Sequence, residues 1–466
     1  MWNIILKREK EISLSRQLFY SMKKLILEGK ITAGEALPSS RGLAKNLSVS
    51  RSTVCEAYDM LITEGFVVSR QGAPTKVKEG LHLDKYHTKT ITYETSQPSF
   101  STDFKTGQPD VSCFPRYLWN QLLYKSCEKL QDKDLGYFTT AGYEPLREEI
   151  SQWLFRTRGI LAKPQDIFIT TGTTQALNLF VQMLSKEGLP FAVEDPCHLG
   201  IIEILKNRKI PFLGIPVDEN GIRTEQLENQ NFSTVYVTPS HQFPLGGILP
   251  AERRAELIRL ARKQNFYIIE DDYDSEFRYG GAPITPLYSM GCESVLYAGT
   301  FSKTMYPALR VGFVVLPPQL HAQWLHLRKY FDVQNPIIEQ AALTEFLSQR
   351  KLDKYVQKIC KLYGEKRQLF LKSILQCFGK EVCLLGDASG LHLVLQIPGV
   401  CFDEGFIAKS QAFGIRVYPI EHYCIRKGNH SDKLMLGYGH LHVDEIHQSV
   451  LRLYDFIMKN SIPSLL

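Results

Sequence analysis

Residues 266–303 read FYIIEDDYDSEFRYGGAPITPLYSMGCESVLYAGTFSK. Two apolar runs stand in this stretch, Phe266 to Ile269 and Val295 to Ala298. The first ends in Glu270-Asp271-Asp272-Tyr273 and the second in Gly299-Thr300-Phe301-Ser302-Lys303. Short apolar runs bounded by turn signals read as buried strands. The same alternation extends toward the N-terminus: Ile167 to Thr171 precedes a helical pattern to about Lys186, and Phe191 to Val193 precedes one from Gly200 to Lys206. Thr234 to Thr238 precedes another, from Ala251 to Gln264. Strands alternating with amphipathic helices predict an α/β module with a mostly parallel sheet covered on both faces. Ligands of such sheets sit at the carboxyl ends of the strands.

Four strand ends carry chemical groups. Thr171-Gly172-Thr173-Thr174-Gln175 opens a helix, where backbone N–H groups and the helix dipole favour a phosphate. The acidic cluster with Tyr273 follows the second strand end, and a carboxylate cluster is costly to bury without a partner. Lys303 follows the third, with Arg310 seven residues later, and Val193-Glu194-Asp195-Pro196-Cys197-His198 forms the fourth. Taken singly these are ordinary features: a turn, a helix cap, a solvated cation and an exposed ring. Taken together, a phosphate cradle, a carboxylate, a phenol, a lysine and an arginine are the set that pyridoxal 5′-phosphate requires. The lysine supplies a Schiff base and the carboxylate keeps the pyridine nitrogen protonated.

The chain has 466 residues, 44% hydrophobic and 22% charged, with a formal net charge of +6. That charge is unevenly spread: residues 1–80 hold thirteen Lys/Arg against eight Asp/Glu, and the rest is almost neutral. A small basic module attached to a large neutral one suggests a nucleic-acid partner. No apolar run approaches the roughly 18 residues that cross a bilayer. The opening MWNIILKREKEI has only a five-residue apolar stretch, too short for a secretory core, so a cytoplasmic location without membrane attachment is expected. Ten cysteines stand singly, without C-x-x-C, which predicts reduced thiols and no metal site.

Within the basic module, Leu14, Leu18, Met22, Leu25, Ile26 and Leu27 have helical spacing, and Ser39 caps a second helix burying Leu43, Ala44 and Leu47. A third helix from about Arg51 to Glu64 buries Val54, Ala57, Tyr58 and Leu61. Phe66 to Gly72 then reads as a short hairpin. Three helices with a tight second turn and a hairpin make a winged helix-turn-helix. Ser50, Arg51, Ser52 and Thr53 stand at the start of the third helix, where side chains meet base edges. Arg41 and Arg70 are placed to neutralise phosphates.

The string L-P-S-S-R-x-L-A-x-x-L-x-V-S-R-x-T-V-x-x-A-Y-x-x-L-x-x-E-G, from Leu37 to Gly65, closely resembles the DNA-binding domain of the GntR family of bacterial repressors. The segment from about Phe104 to Asn460 resembles a fold-type I aminotransferase. Phe104 to Asp110, Gly142 to Arg147, Thr238 to Pro244, Glu270 to Asp274 and Gly299 to Lys303 match the MocR (GabR-like) subfamily of GntR regulators. The resemblance implies a winged helix at 8–77, a linker at 78–101 and an aminotransferase-like module with large and small lobes at 102–460. It implies that Lys303 holds the cofactor as an internal aldimine, with Asp271 at the pyridine nitrogen and Tyr273 at the ring hydroxyl. Thr173, Thr174, Thr300, Ser302 and Arg310 would surround the phosphate, and His198 would stack on the ring. Tyr137 would reach the phosphate of the opposite subunit in a homodimer, head-to-tail and domain-swapped.

Two positions depart from the family. Met435 aligns where aminotransferases place a carboxylate-binding arginine, and Leu199 where a γ-aminobutyrate-sensing relative has one. Lys433, Arg426 and Lys427 remain as alternatives for the missing charge. The expected function is therefore a regulator that binds operator DNA and senses pyridoxal phosphate, or an amino compound joined to it, at Lys303. The alternative is an active aminotransferase, at most slow, with an accessory DNA-binding domain.

Overall fold

The computed structural model describes residues 2, 4–7, 12–81, 100–137, 139–280 and 284–460. Most of the expected linker, residues 82–99, lies outside the described residues. The chain divides into two compact units, residues 1–97 and 98–466.

The first unit packs α1 (Leu14–Leu27), α2 (Ser40–Leu47) and α3 (Arg51–Thr63) beside a hairpin of β1 (Val67–Val68) and β2 (Lys76–Val77). Each helix starts on a serine whose hydroxyl accepts a backbone N–H: Ser13 from Arg16, Ser39 from Gly42 and Ser50 from Thr53. Such caps satisfy donors that the first turn leaves free. Leu18, Met22, Ile26, Leu43, Val54 and Leu61 meet in one core, and the Tyr58 hydroxyl donates to the Pro38 carbonyl at 2.8 Å. The hairpin is wider than the expected 66–72: Val67 pairs with Val77 and Val68 with Lys76. Alternation located the first strand only, because the returning strand is two residues long and no periodicity can develop in it.

In chain order the second unit contains β3 (Thr102–Asp103), α4 (Arg116–Lys129), α5 (Glu144–Arg158), β4 (Ile167–Thr170), α6 (Thr173–Leu184), β5 (Phe191–Asp195), α7 (Leu199–Asn207), β6 (Phe212–Asp218) and β7 (Gly221–Ile222). Next come β8 (Thr234–Val237), α8 (Ala251–Gln264), β9 (Tyr267–Asp272), β10 (Val295–Thr300), β11 (Gly312–Val315), α9 (His321–Lys329) and α10 (Ile337–Ser348). The smaller lobe follows with α11 (Lys351–Phe378), β12 (Cys383–Leu385), β13 (His392–Gln396), α12 (Glu404–Ala412), β14 (Ile415–Arg416), β15 (Tyr418–Pro419), β16 (Lys433–Gly437) and α13 (Val443–Asn460).

Eight strands form the main sheet in the order β4-β11-β10-β9-β8-β5-β6-β7. The five from β10 to β6 run parallel, while β11 is antiparallel to both its neighbours and β7 is antiparallel to β6. β6 and β11 were not expected as strands. Successive strand residues feed two different cores: Ile268, Val235 and Val295 face one helical layer, and Ile269, Tyr236 and Leu296 face the other. Burial on both faces is why these strands are continuously apolar. A second, antiparallel sheet β12-β13-β16-β15 packs against α11 and α13, and β3 pairs with β14. No helix among the described residues is long and apolar enough to cross a membrane, and all ten cysteines are free thiols.

Leu61 is fully buried in the small core of the first unit. Leu61→Ala is expected to cost about 2–5 kcal/mol, measured as an earlier loss of N-terminal protection in hydrogen exchange of the full chain under urea.

Candidate functional site

The carboxyl ends of β4, β5, β8, β9 and β10 open into one cavity of about 260 Å³. Thr173, Thr174, His198, Asp271, Tyr273, Thr300, Ser302, Lys303 and Arg310 all line it. Tyr137 does not; its side chain is 90% exposed. Thr106, Gly107, Tyr236, Thr238, Phe243 and His392 also line the cavity without having been singled out as site residues.

Strand alternation sorts the acidic cluster. Neighbouring residues of β9 point to opposite faces. Glu270 accepts the backbone N–H groups of Leu287 and Tyr288, both at 2.9 Å. Asp272 accepts the Tyr297 hydroxyl at 2.6 Å and stands 3.4 Å from Arg158. Asp271, between them, turns to the other face. There its Oδ2 accepts the Tyr236 hydroxyl at 2.8 Å, while Oδ1 is buried without a hydrogen-bond partner. Burial pushes the Asp271 carboxyl up to about 7, against the pull of the Tyr236 hydrogen bond.

Lys303 Nζ donates to the Gly107 carbonyl. Burial lowers the pKa of this lysine, opposed by Asp274 and Asp271, which favours the neutral, nucleophilic amine. Gly107 has φ +65°, and a Cβ there would lie 2.7 Å from Lys303 Nζ. The lysine needs both the left-handed backbone and the missing side chain at 107. Across the cavity, the Thr300 hydroxyl donates to Ser302 Oγ at 3.0 Å and accepts the Ser302 N–H at 3.1 Å. The first turn of α6 presents Thr173 and Thr174 beside Arg310, which has φ 52°. His198 caps α7, its Nδ1 accepting the Gly200 N–H at 3.1 Å.

These groups fit a flat, phosphorylated pyridine aldehyde. The orphaned Asp271 oxygen matches a ring N–H, the low-pKa amine matches a carbonyl carbon, and the helix end with two hydroxyls and a guanidinium matches a phosphate. The alternatives for the missing carboxylate arginine lie elsewhere. Met435 is buried with Leu245, Val394, Ile420 and Cys424. Lys433 binds Asp432 at 2.9 Å, Lys427 donates to the Glu421 carbonyl at 2.6 Å, and neither these nor Arg426 lines the cavity.

In the first unit Arg41, Ser50, Arg51, Ser52 and Arg70 are exposed and Thr53 is half-buried. Ser50 Oγ lies 2.7 Å from Ser52 Oγ and 2.8 Å from Thr53 Oγ1 while capping α3, so its hydroxyl is engaged in the helix start. Arg51 Nε donates to Ser40 Oγ at 3.3 Å, which ties the start of α3 to that of α2.

Residues 14–77 match the bacterial regulatory proteins of the gntR family, and residues 102–405 match the aminotransferases of class I and II. The chain belongs to the MocR type of GntR regulator. This regulator is similar to the HTH-type transcriptional regulator YdeL of Bacillus subtilis, 31% identical over 89% of the chain and 90% of the relative. It is also similar to the probable rhizopine catabolism regulatory protein MocR of Rhizobium meliloti, 28% identical over 90% and 88% of the two chains. Among solved structures, a Pyrococcus horikoshii kynurenine aminotransferase in complex with PMP superposes with a TM-score of 0.71 at 26% identity. The match covers 78% of the regulator and 92% of the enzyme.

Sequence reasoning passed over Tyr236 because it occupies an apolar strand, TVYV, and over His392 because it is about 90 residues beyond Lys303. Only the sheet register brings the first to Asp271, and only packing of the smaller lobe brings the second to the cavity.

Burial also pushes Glu194 and Glu270 up to about 7. An acid raised in the folded state holds a proton that the unfolded chain has released. Its stabilising contribution is full below the ordinary carboxylate range and is lost as pH rises through about 7. The melting temperature of the cofactor-free regulator is therefore expected to fall as pH rises through this window. Asp271→Asn should make that fall shallower, as followed by calorimetry.

Proposed function

We propose that this regulator binds operator DNA through its winged helix and holds pyridoxal 5′-phosphate in the cavity, using the state of Lys303 to set its affinity for DNA. The observation that carries the reading is the convergence on one cavity of Lys303, a carboxylate with an unpartnered oxygen and a helix-end anion cradle, in a GntR-family chain. When bound, the cofactor supplies an aldehyde that joins covalently to amines and a ring that withdraws electrons.

The protein's contribution is positional. Lys303 Nζ is the point of attachment, and its depressed basicity keeps a lone pair available. Asp271 holds the proton of the ring nitrogen, Tyr273 faces the ring hydroxyl and His198 covers one side of the ring. Thr173, Thr174, Thr300, Ser302 and Arg310 anchor the phosphate. An amine that takes the place of Lys303 frees the lysine to return to the Gly107 carbonyl. The DNA-binding equilibrium responds only if the two states differ in affinity for the displaced and attached forms.

The cations lining the cavity among the described residues, Lys303 and Arg310, are both assigned to the cofactor, which leaves no lining guanidinium for a substrate carboxylate. That favours sensing of pyridoxal phosphate itself, or of an amino compound held weakly, over efficient transamination. Tyr137, Tyr117, Tyr124 and Leu135 are exposed apolar side chains. Exposed apolar surface of this kind suits a subunit interface, so we place Tyr137 against a second copy, in a cytoplasmic homodimer.

Arg51, Ser52 and Thr53 meet base edges in this reading, Ser50 orients the helix that carries them, and Arg41 and Arg70 contact phosphates. Arg51→Ala should weaken binding to DNA from the regulator's own promoter region about tenfold, without changing the bound cofactor's absorption. Fluorescence anisotropy measures this. Lys303→Ala should remove the lysine-linked absorption band and the effect of added pyridoxal 5′-phosphate on DNA affinity. A response retained in this variant contradicts the sensing mechanism. Rapid release of keto acid from amino acids would instead establish the aminotransferase alternative.

A further inference from the structure

Behind Tyr273 lies a buried set of side chains that the cofactor contacts above leave unused. His241, 2% exposed, follows β8, and its Nδ1 stands 3.0 Å from both Oδ1 and Oδ2 of Asp274, itself 2% exposed. The Tyr273 hydroxyl lies 3.1 Å from the same Nδ1 and donates to the His241 carbonyl at 3.0 Å. His392 of β13 packs its ring 4.9 Å from that of His241. The donor atoms of His241, Asp274 and His392 lie within 4.8 Å of one another, the spacing of a metal site. Their hydrogen bonds are already committed, however: His241 to Asp274, and His392 Nε2 to the Pro244 carbonyl at 3.2 Å.

An ionised carboxylate only accepts, so contact with both Asp274 oxygens assigns the His241 proton to Nδ1. Nε2 is then a lone pair, and it is buried without a partner. The Nδ1–H lies within reach of two acceptors, the Asp274 carboxylate and the Tyr273 oxygen. Gly390, in the smaller lobe, fixes the pair from outside. At its φ of +77° a Cβ would come 2.1 Å from His241 Cε1 and 2.5 Å from Asp274 Oδ2.

We propose that His241, oriented by Asp274, is a positioning residue that shares its Nδ1–H with the Tyr273 oxygen and so sets how strongly that phenol donates to the cofactor. This rests on the assignment of Tyr273 to the ring hydroxyl. The phenol is buried and faces Asp274, Asp271 and Asp272 of its own segment and Glu194 of β5, all of which hold its proton on. Tyr236 of β8 is engaged with Asp271, and Lys303 stands opposite. Burial beside His241 drives His392 down to about 3, so His392 stays neutral and adds no charge to the group. Against four carboxylates, the Nδ1–H is the donor that offsets the loss of donor strength in the phenol.

A phenol oxygen that accepts a hydrogen bond donates its own proton more strongly, here toward an oxygen on the ring. Negative charge held there lowers the pH at which the attached Lys303 Nζ releases its proton. One neutral hydrogen bond of about 0.5–1.5 kcal/mol corresponds to a shift of roughly 0.5–1 pH unit.

The test is a pH titration of the visible absorption of the full-length protein loaded with pyridoxal 5′-phosphate. In His241→Phe the midpoint should move up by roughly 0.5–1 unit. His241→Asn, which restores a side-chain N–H, should titrate near the parent. Tyr273→Phe should also move the midpoint up, and Tyr273→Phe/His241→Phe should coincide with Tyr273→Phe alone, because the histidine acts through the phenol. A parent-like midpoint in His241→Phe, or an additive shift in the double variant, overturns the proposal. If His241→Phe does not retain cofactor, Asp274→Asn provides the same test: a smaller upward shift supports the dyad and an unchanged midpoint overturns it. A spectrum that Lys303→Ala leaves unaltered would instead overturn the cofactor reading itself.

Discussion

A carboxylate at the end of a central strand, buried with one oxygen unpartnered, is the constraint on which the cavity depends. Asp271 is flanked in sequence by two other acids, and three adjacent carboxylates in a sheet interior repel one another. The sheet resolves the conflict by alternation: Glu270 and Asp272 turn to one face, where backbone N–H groups, Tyr297 and Arg158 receive them. Asp271 turns alone to the other face, with Tyr236 as its one hydrogen-bond partner among the described residues. A buried acceptor left open in this way is expensive unless a ligand completes it. The site is thus built around a donor that the protein does not itself provide.

The rest of the cavity follows from that placement. Parallel neighbours of β9 end at the same level, so Lys303 after β10 and Thr238 after β8 arrive beside Asp271 without long loops. The antiparallel β11 returns from the Lys303 turn to pair with β4, which sets Arg310 against the start of α6. Gly107 enters from a segment far upstream and supplies the carbonyl that receives Lys303 Nζ. The smaller lobe contributes Gly390 and His392 to the far wall. The groups around Tyr273 therefore come from both lobes, so a displacement of one lobe against the other alters the surroundings of the phenol as well as the volume of the cavity.

The DNA-binding unit is made by simpler means. Three serine caps start its helices, and one apolar stripe per helix closes its core. The residues that start α3 serve two purposes. Ser50 caps the helix, and Arg51 is tied to Ser40 while remaining exposed. This gives the exposed groups a defined orientation before any partner arrives.

Much of this was legible in the amino-acid order. Helices, parallel strands and winged-helix caps follow from local periodicity and capping residues, and nine of the ten expected cofactor residues line a single cavity. Each of those nine sits next to a strand end, where local sequence determines position. What the order of residues did not disclose depends on partners remote in the chain. Tyr236 looks like core until sheet register sets it on Asp271, and His392 is anonymous until the smaller lobe packs its ring on His241. Met435 is read in sequence as a missing arginine, and only the fold shows it as part of an apolar cluster. Sequence by itself determined the two modules and the chemistry of the strand ends, because short-range periodicity and turn chemistry specify both. Tertiary structure alone decided which of three adjacent acids meets the cavity and what stands behind Tyr273, because those outcomes depend on register and packing between segments that local sequence does not relate.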